Sequence, residues 1–140
     1  MRPRSFCMRK DTIPDTETSH FFLGRFRTER HFSKFLKEDY SRDDDDTPLS
    51  AFYGSQGETF CDHDFLEHGF RDKGSTLQEF FAPYSYAEHW AKELAKRAGE
   101  AGLDDANALI FISKAEIKKP RSVKGDRFAL IYLGVIKYPI

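Results

Sequence analysis

The sequence predicts an α+β fold, a mostly antiparallel sheet with helices packed on one side. Three observations carry that expectation. Two apolar runs, Ala108-Leu109-Ile110-Phe111-Ile112 and Phe128 to Tyr138, have the length and the β-branched and aromatic content of strands. Between Thr28 and Gly102, apolar residues recur mostly at helical spacing. Strand-like and helix-like segments come in blocks, with no alternating βαβ series, so segregated helices on an antiparallel sheet fit best.

Taken in order, His20-Phe21-Phe22-Leu23-Gly24-Arg25-Phe26-Arg27 reads as the first strand. Thr28 then caps a helix, with Glu29 at its positive end. Phe32, Phe35 and Leu36 share one face of it, Tyr40 lies a turn further on, and the aspartate run ends it. Thr47-Pro48 is a second start signal, opening a short helix with Leu49, Phe52 and Tyr53 inward and Gly57 as its stop. From Glu58 to Phe70, Phe60, Asp62 and Asp64 alternate with Cys61, His63 and Phe65, yet the segment is too polar for a central strand. It reads as an edge strand or an ordered loop.

Gly69 and Gly74 bracket a turn, and Ser75-Thr76 caps a short helix carrying Leu77, Phe80 and Phe81 that Pro83 ends. Ser85-Tyr86-Ala87-Glu88 has the capping-box pattern and opens the longest helix. Ala87, Trp90, Ala91, Leu94, Ala95 and Ala98 form its inner face, and the small alanines predict close approach to the sheet; the helix closes near Gly99–Gly102. Lys124-Gly125-Asp126 is a turn into the last strand, so the two final strands are joined by a basic loop.

A chain of 140 residues fits one domain, here 20–140, preceded by a polar, basic arm at 1–19. Fourteen phenylalanines, six tyrosines and one tryptophan supply its core volume. Cys7 and Cys61 fit no zinc or redox spacing and read as two reduced thiols. No window approaches the roughly 20 apolar residues of a membrane span, and the basic N-terminus lacks the apolar stretch of a secretory signal. A cytoplasmic protein without a membrane partner is expected.

The net charge is only −1, but it is segregated. Residues 38–46 carry six acids against one base, whereas 114–127 carry six bases against two acids. Gathering like charge costs self-repulsion, which points to a cationic partner or a metal.

Asp62, His63, Asp64, Glu67 and His68 are possible metal ligands, and on a helix His63 and Glu67 would align. On a strand, Asp62 and Asp64 face one way and His63 the other, dividing the set. Asp43–Asp46 lacks the alternating pattern and terminal glutamate of a calcium loop. Cys61 beside Asp62 and His63 suggests an activated thiolate only if the fold brings thiol and imidazole together. With no Gly-x-Ser-x-Gly and no phosphate-binding glycine loop, no catalytic residue and no cofactor are assigned. Lys114, Lys118, Lys119, Arg121, Lys124 and Arg127 could contact phosphate, but no interleaved aromatics support stacking, and no nucleic-acid partner is assigned. Partner binding fits better: Tyr40, Tyr53, Phe65 and Phe70 lie among the acids, and aromatics within a charged rim are an interface composition.

Several segments together resemble the immunity protein 22 family of bacteria. They are His20-Phe21-Phe22-Leu23-Gly24-Arg25-Phe26, Glu38-Asp39-Tyr40-Ser41 with its acidic tail, and Asp62-His63-Asp64-Phe65-Leu66-Glu67-His68-Gly69-Phe70. Ser85-Tyr86, Ile112-Ser113, Pro120 to Gly125 and Tyr132-Leu133-Gly134 follow. The resemblance spans roughly residues 20–138 and omits the basic arm. It implies a cytoplasmic α+β protein, encoded beside a toxin of a bacterial competition system, that binds the toxin and blocks it. Many such toxins are nucleases with basic clefts, so an acidic inhibitor face is physically sensible. The expected contacts are Asp43, Asp44, Asp45, Asp46, Asp62, Asp64 and Glu67, acting by stoichiometric occlusion. The alternative is a metal-binding protein or metal-dependent enzyme built on Asp62, His63, Asp64, Glu67 and His68.

Overall fold

The computed structural model describes residues 15–41 and 44–140. A five-stranded antiparallel sheet runs through the middle, in the order β2-β3-β1-β5-β4. Its strands are β1 (Thr16–Phe26), β2 (Leu66–Phe70), β3 (Ala108–Ser113), β4 (Val123–Gly125) and β5 (Phe128–Pro139). The helices among the described residues are α1 (Glu29–Leu36), α2 (Ala51–Ser55), α3 (Leu77–Phe81) and α4 (Ala87–Glu100).

The α+β class and the antiparallel sheet follow the sequence reading; the placement of helices on one side does not. Phe32, Phe35 and Phe52 of α1 and α2 pack with Phe22, Ile110 and Leu130 on one face. Phe80, Phe81, Trp90 and Leu94 of α3 and α4 pack with Phe21, Leu23, Leu109 and Phe111 on the other. The physical reason is visible in β1 and β3. Side chains alternate between faces, so a run in which Phe21, Phe22, Leu23 and Ala108 through Ile112 are all buried needs cover on both sides.

Strand β1 begins at Thr16, so Thr16–Ser19 belong to the sheet rather than to the arm; residues 1–14 lie outside the described residues. At its middle, His20 pairs with Val135 and Phe22 with Tyr132, so Phe21 stands opposite both Leu133 and Gly134. Gly134 takes φ +96° at this bulge, a conformation glycine adopts without a Cβ penalty. Arg97 of α4 donates Nη1 to the carbonyls of Leu133 and Val135, both at 2.9 Å, and Glu93 holds the guanidinium from one turn back. The bulge thus fixes where α4 lies on the sheet.

Helix α1 has the expected cap, Thr28 Oγ1 accepting from His31 N at 3.1 Å, but it ends at Leu36, leaving Tyr40 off the helix and exposed. Helix α2 starts later than Thr47-Pro48: Ser50 is its cap, with Oγ accepting from Tyr53 N. Thr47 instead donates both N–H and hydroxyl to Asp44 Oδ1, which makes it part of a turn. The capping box appears at Thr76 and Glu79, heading α3, rather than at Ser85 and Glu88. Helix α4 begins after Tyr86, which sits in the left-handed region at φ 61° and makes no side-chain cap.

The polar segment before Phe70 is half turn and half edge strand. A 3-10 turn over His63–Phe65 is capped by Asp62 Oδ1, which accepts from Asp64 N at 3.0 Å. Strand β2 then pairs with β3 from Leu66↔Ile112 to Phe70↔Ala108. Gly69 must be glycine because the Tyr84 hydroxyl occupies the space a Cβ would take. The basic loop contains a strand the sequence reading missed: β4, three residues long, closes a hairpin onto β5 through Asp126 and Arg127.

Candidate partner-binding site

The end of the sheet where β1 begins and β5 finishes opens into a cleft of about 630 Å³. Its floor is Ser19, Phe111 and Tyr138, all buried, with the Ser19 and Tyr138 hydroxyls bonded at 2.9 Å. One wall is the turn into β2, which brings Asp64, Phe65 and Glu67. The other is Ser85 and Tyr86, the residues just before α4, with Ile140 and Glu17 at the strand ends. Phe65 and Tyr86 are 55% and 44% exposed, unusually open for aromatic rings and both facing the same cavity.

Neutral donors hold the carboxylates in place. Glu67 Oε1 accepts the Ser85 backbone N–H at 3.1 Å, and Glu17 accepts the Ser113 hydroxyl. Among the described ion pairs neither has a lysine or arginine partner. The Tyr138 phenol registers them. Burial raises its pKa, the Ser19 hydrogen bond opposes, and Glu17 and Glu67 push it up further. Tyr86 leans on the Tyr138 ring at 6.1 Å between centroids, so its left-handed backbone presents the ring at the cleft's edge.

Of the residues expected from sequence, Asp64 and Glu67 line this cleft. Asp62 does local work instead: it caps the turn, and its N–H donates to Glu116 Oε1 at 2.7 Å. Asp44 accepts from Asp46 N, Thr47 N and Thr47 Oγ1, folding the acidic run into a turn that leaves Asp45 and Asp46 exposed. That turn belongs to the connection between α1 and α2. Asp43 lies outside the described residues.

The five candidate metal ligands divide between the layers. Along β2, Glu67 pairs with Phe111 and faces the cleft, whereas His68 pairs with Ile110 and packs edge-on against Phe32. His63 turns toward Glu38, with Nδ1 3.3 Å from the carboxylate, and its Nε2 is 3.6 Å from Asp64. Glu38 also accepts the Tyr40 and Tyr53 hydroxyls at 2.6 Å. Partial burial works to raise its pKa, but these bonds and His63 outweigh it and hold Glu38 below the usual carboxylate range. Among the described residues no three or more His, Cys, Asp or Glu side chains are grouped to hold a metal. Nor is Cys61 an activated thiolate. It is fully buried, its Sγ donates to the Glu116 carbonyl, and burial pushes its pKa up to about 12.

The basic segment is pinned to α2 by its backbone: Arg121 N donates to Gln56 Oε1 at 2.7 Å and Gln56 Nε2 to Arg121 O at 2.9 Å. Arg25, Arg27, Lys124 and Arg127 gather around a shallow depression at the opposite end of β1 and β5. Phe26 lies nine steps along the strand from Glu17, so acidic and basic ends lie about 30 Å apart at roughly 3.3 Å per residue.

Glu17, Tyr86 and Tyr138 are among the cleft residues that sequence reasoning missed. A signal existed for Glu17 in the β-prone Thr16-Glu17-Thr18, but nothing local marks Tyr86 as left-handed.

The fold and cleft define a small α+β protein with a concavity lined by Glu17, Asp64 and Glu67 together with Phe65 and Tyr86. Residues 20–139 match the family described as Immunity protein 22, and the chain belongs to that family. Membership supports an immunity role. No curated protein and no solved structure matches the chain. Three of the segments that resemble the family, Asp62–Phe70, Ser85-Tyr86 and Ile112-Ser113, contribute residues to the cleft. Among the described residues no helix is long and apolar enough to cross a membrane.

Proposed function

We propose that this protein neutralises a cognate bacterial toxin in the cytoplasm by binding it one to one and occluding its working surface, with no catalysis of its own. The contact surface is the cleft bounded by Glu17, Asp64, Phe65, Glu67 and Tyr86. The observation that carries the reading is the pairing of exposed aromatics with carboxylates that have no lysine or arginine partner among the described ion pairs, around one concavity. Such a surface combines apolar anchors with a charge that selects a basic partner. A nuclease fits that description, since a surface built to hold phosphate is cationic. Asp43–Asp46 adds long-range attraction rather than specific contact.

Titrating the toxin encoded beside this chain with the purified protein tests the proposal. Toxic activity is expected to reach zero at one equivalent, with a salt-sensitive association rate. Catalytic, substoichiometric inactivation overturns it, as does full neutralisation by an Asp64→Lys/Glu67→Lys variant.

A further inference from the structure

We infer that the cleft is a receptor for an arginine side chain, supplied by an exposed segment of the partner toxin; the inference rests on the immunity reading and names the chemistry of its contact. The groove has Phe111 and the mutually bonded Ser19 and Tyr138 hydroxyls at its floor, aromatic rings along its walls, and carboxylates at its rim. That division suits a side chain with a long aliphatic stem and a planar cationic head. Glu17 and Glu67 are each fixed through one neutral hydrogen bond. A carboxylate has acceptor sites enough to take a guanidinium as well. A group already paired with a cation would gain little from another, and neither residue is so paired among the described ion pairs.

The rings complete the fit. Phe65 and Tyr86 both line the cavity and are substantially exposed, and a guanidinium can stack on such a ring while its edge donates to carboxylates. An ammonium head makes the ion pair but not the planar stack or the bidentate fork, so the site should prefer arginine to lysine. Tyr86 holds its position with a backbone conformation that non-glycine residues rarely adopt. Two separate segments, the left-handed residue before α4 and the turn before β2, contribute these rings to one cavity. At about 630 Å³ the cleft falls in the range of about 300–1,000 Å³ typical of small-ligand pockets, roomy enough for one side chain and its flanking backbone.

The probe is N-acetyl-arginine-N-methylamide, titrated into the ¹⁵N-labelled full chain and followed by amide chemical shifts. The expected result is saturable shifts at Phe65, Glu67 and Tyr86, lost in a Glu17→Gln/Glu67→Gln double variant and in Tyr86→Ala. The lysine analogue should bind more weakly and the uncharged citrulline analogue not at all. Citrulline binding as well as arginine, or shifts that persist in all variants, overturns the inference. If arginine fails to bind while Asp64→Lys/Glu67→Lys still abolishes neutralisation, the receptor inference falls and the immunity reading stands. If that variant neutralises fully, the reading itself falls.

Discussion

The Asp44–Asp46 turn and the cleft at Glu17, Asp64 and Glu67 each present three carboxylates, and their surroundings differ completely. In the turn, Asp44 spends its acceptor capacity on Asp46 and Thr47, while Asp45 and Asp46 extend into solvent. In the cleft, Glu17 and Glu67 are oriented by neutral donors beside exposed rings and a buried floor. Charge density along a sequence therefore says little about where charge acts. Screening weakens a solvated cluster beyond about 8 Å at physiological salt, whereas a concave, partly desolvated site keeps its electrostatics at contact range.

The largest expected effect is on the cleft side of this comparison. Asp64→Lys/Glu67→Lys should weaken toxin binding by at least roughly 100-fold, mainly through faster dissociation, as is usual when charge is removed from a buried contact. Surface plasmon resonance reads this directly, and circular dichroism confirms the fold.

Next in size is Tyr86→Gly. Glycine takes the φ of 61° without strain, so thermal stability should hold or rise while toxin affinity falls by about tenfold, the scale of one lost aromatic contact at roughly 1.4 kcal/mol. Stability and affinity falling together would make Tyr86 a packing residue only.

Smaller again is Asp44→Ala. Removing an acceptor of three turn hydrogen bonds at an exposed site should cost about 1 kcal/mol, seen as a lower denaturation midpoint with little change in affinity.

The smallest effect belongs to Asp45→Lys/Asp46→Lys. Affinity should change by less than about threefold, and what change there is should lie in the association rate and vanish at high salt. A larger loss here than at Asp64 and Glu67 would reverse the comparison and place the interface on the α1–α2 side.

Much of the scaffold was legible because its signals are local. Thr28 as a cap, the inner face of α4 from Ala87 to Ala98, and the runs that became β3 and β5 each follow from propensity and spacing alone. Where competing local signals existed, the sequence could not rank them. Ser85-x-x-Glu88 and Thr76-x-x-Glu79 are equivalent capping patterns, and only the second caps. The Ser85 amide is taken by Glu67, eighteen residues earlier in the chain, and its carbonyl by the Trp90 indole. Strand β4 was hidden because three residues carry no periodicity; its existence depends on a hairpin with β5. Helices on both faces were foreshadowed by the unbroken apolar runs of β1 and β3, a signal that deserved more weight than the order of elements.

For the site, the sequence determined which chemistry was available. It set the acids of Asp62–Glu67, the aromatics among them and the family these segments resemble. It could not decide which of those carboxylates would share a surface. Strand alternation sent Glu67 and His68 to opposite layers and so divided the candidate metal set. Pairing of β1 with β5 brought Glu17 beside Tyr138, 121 positions away in the chain. Composition and periodicity act between near neighbours, but a cleft is made where distant segments meet, and only the completed sheet fixes that meeting.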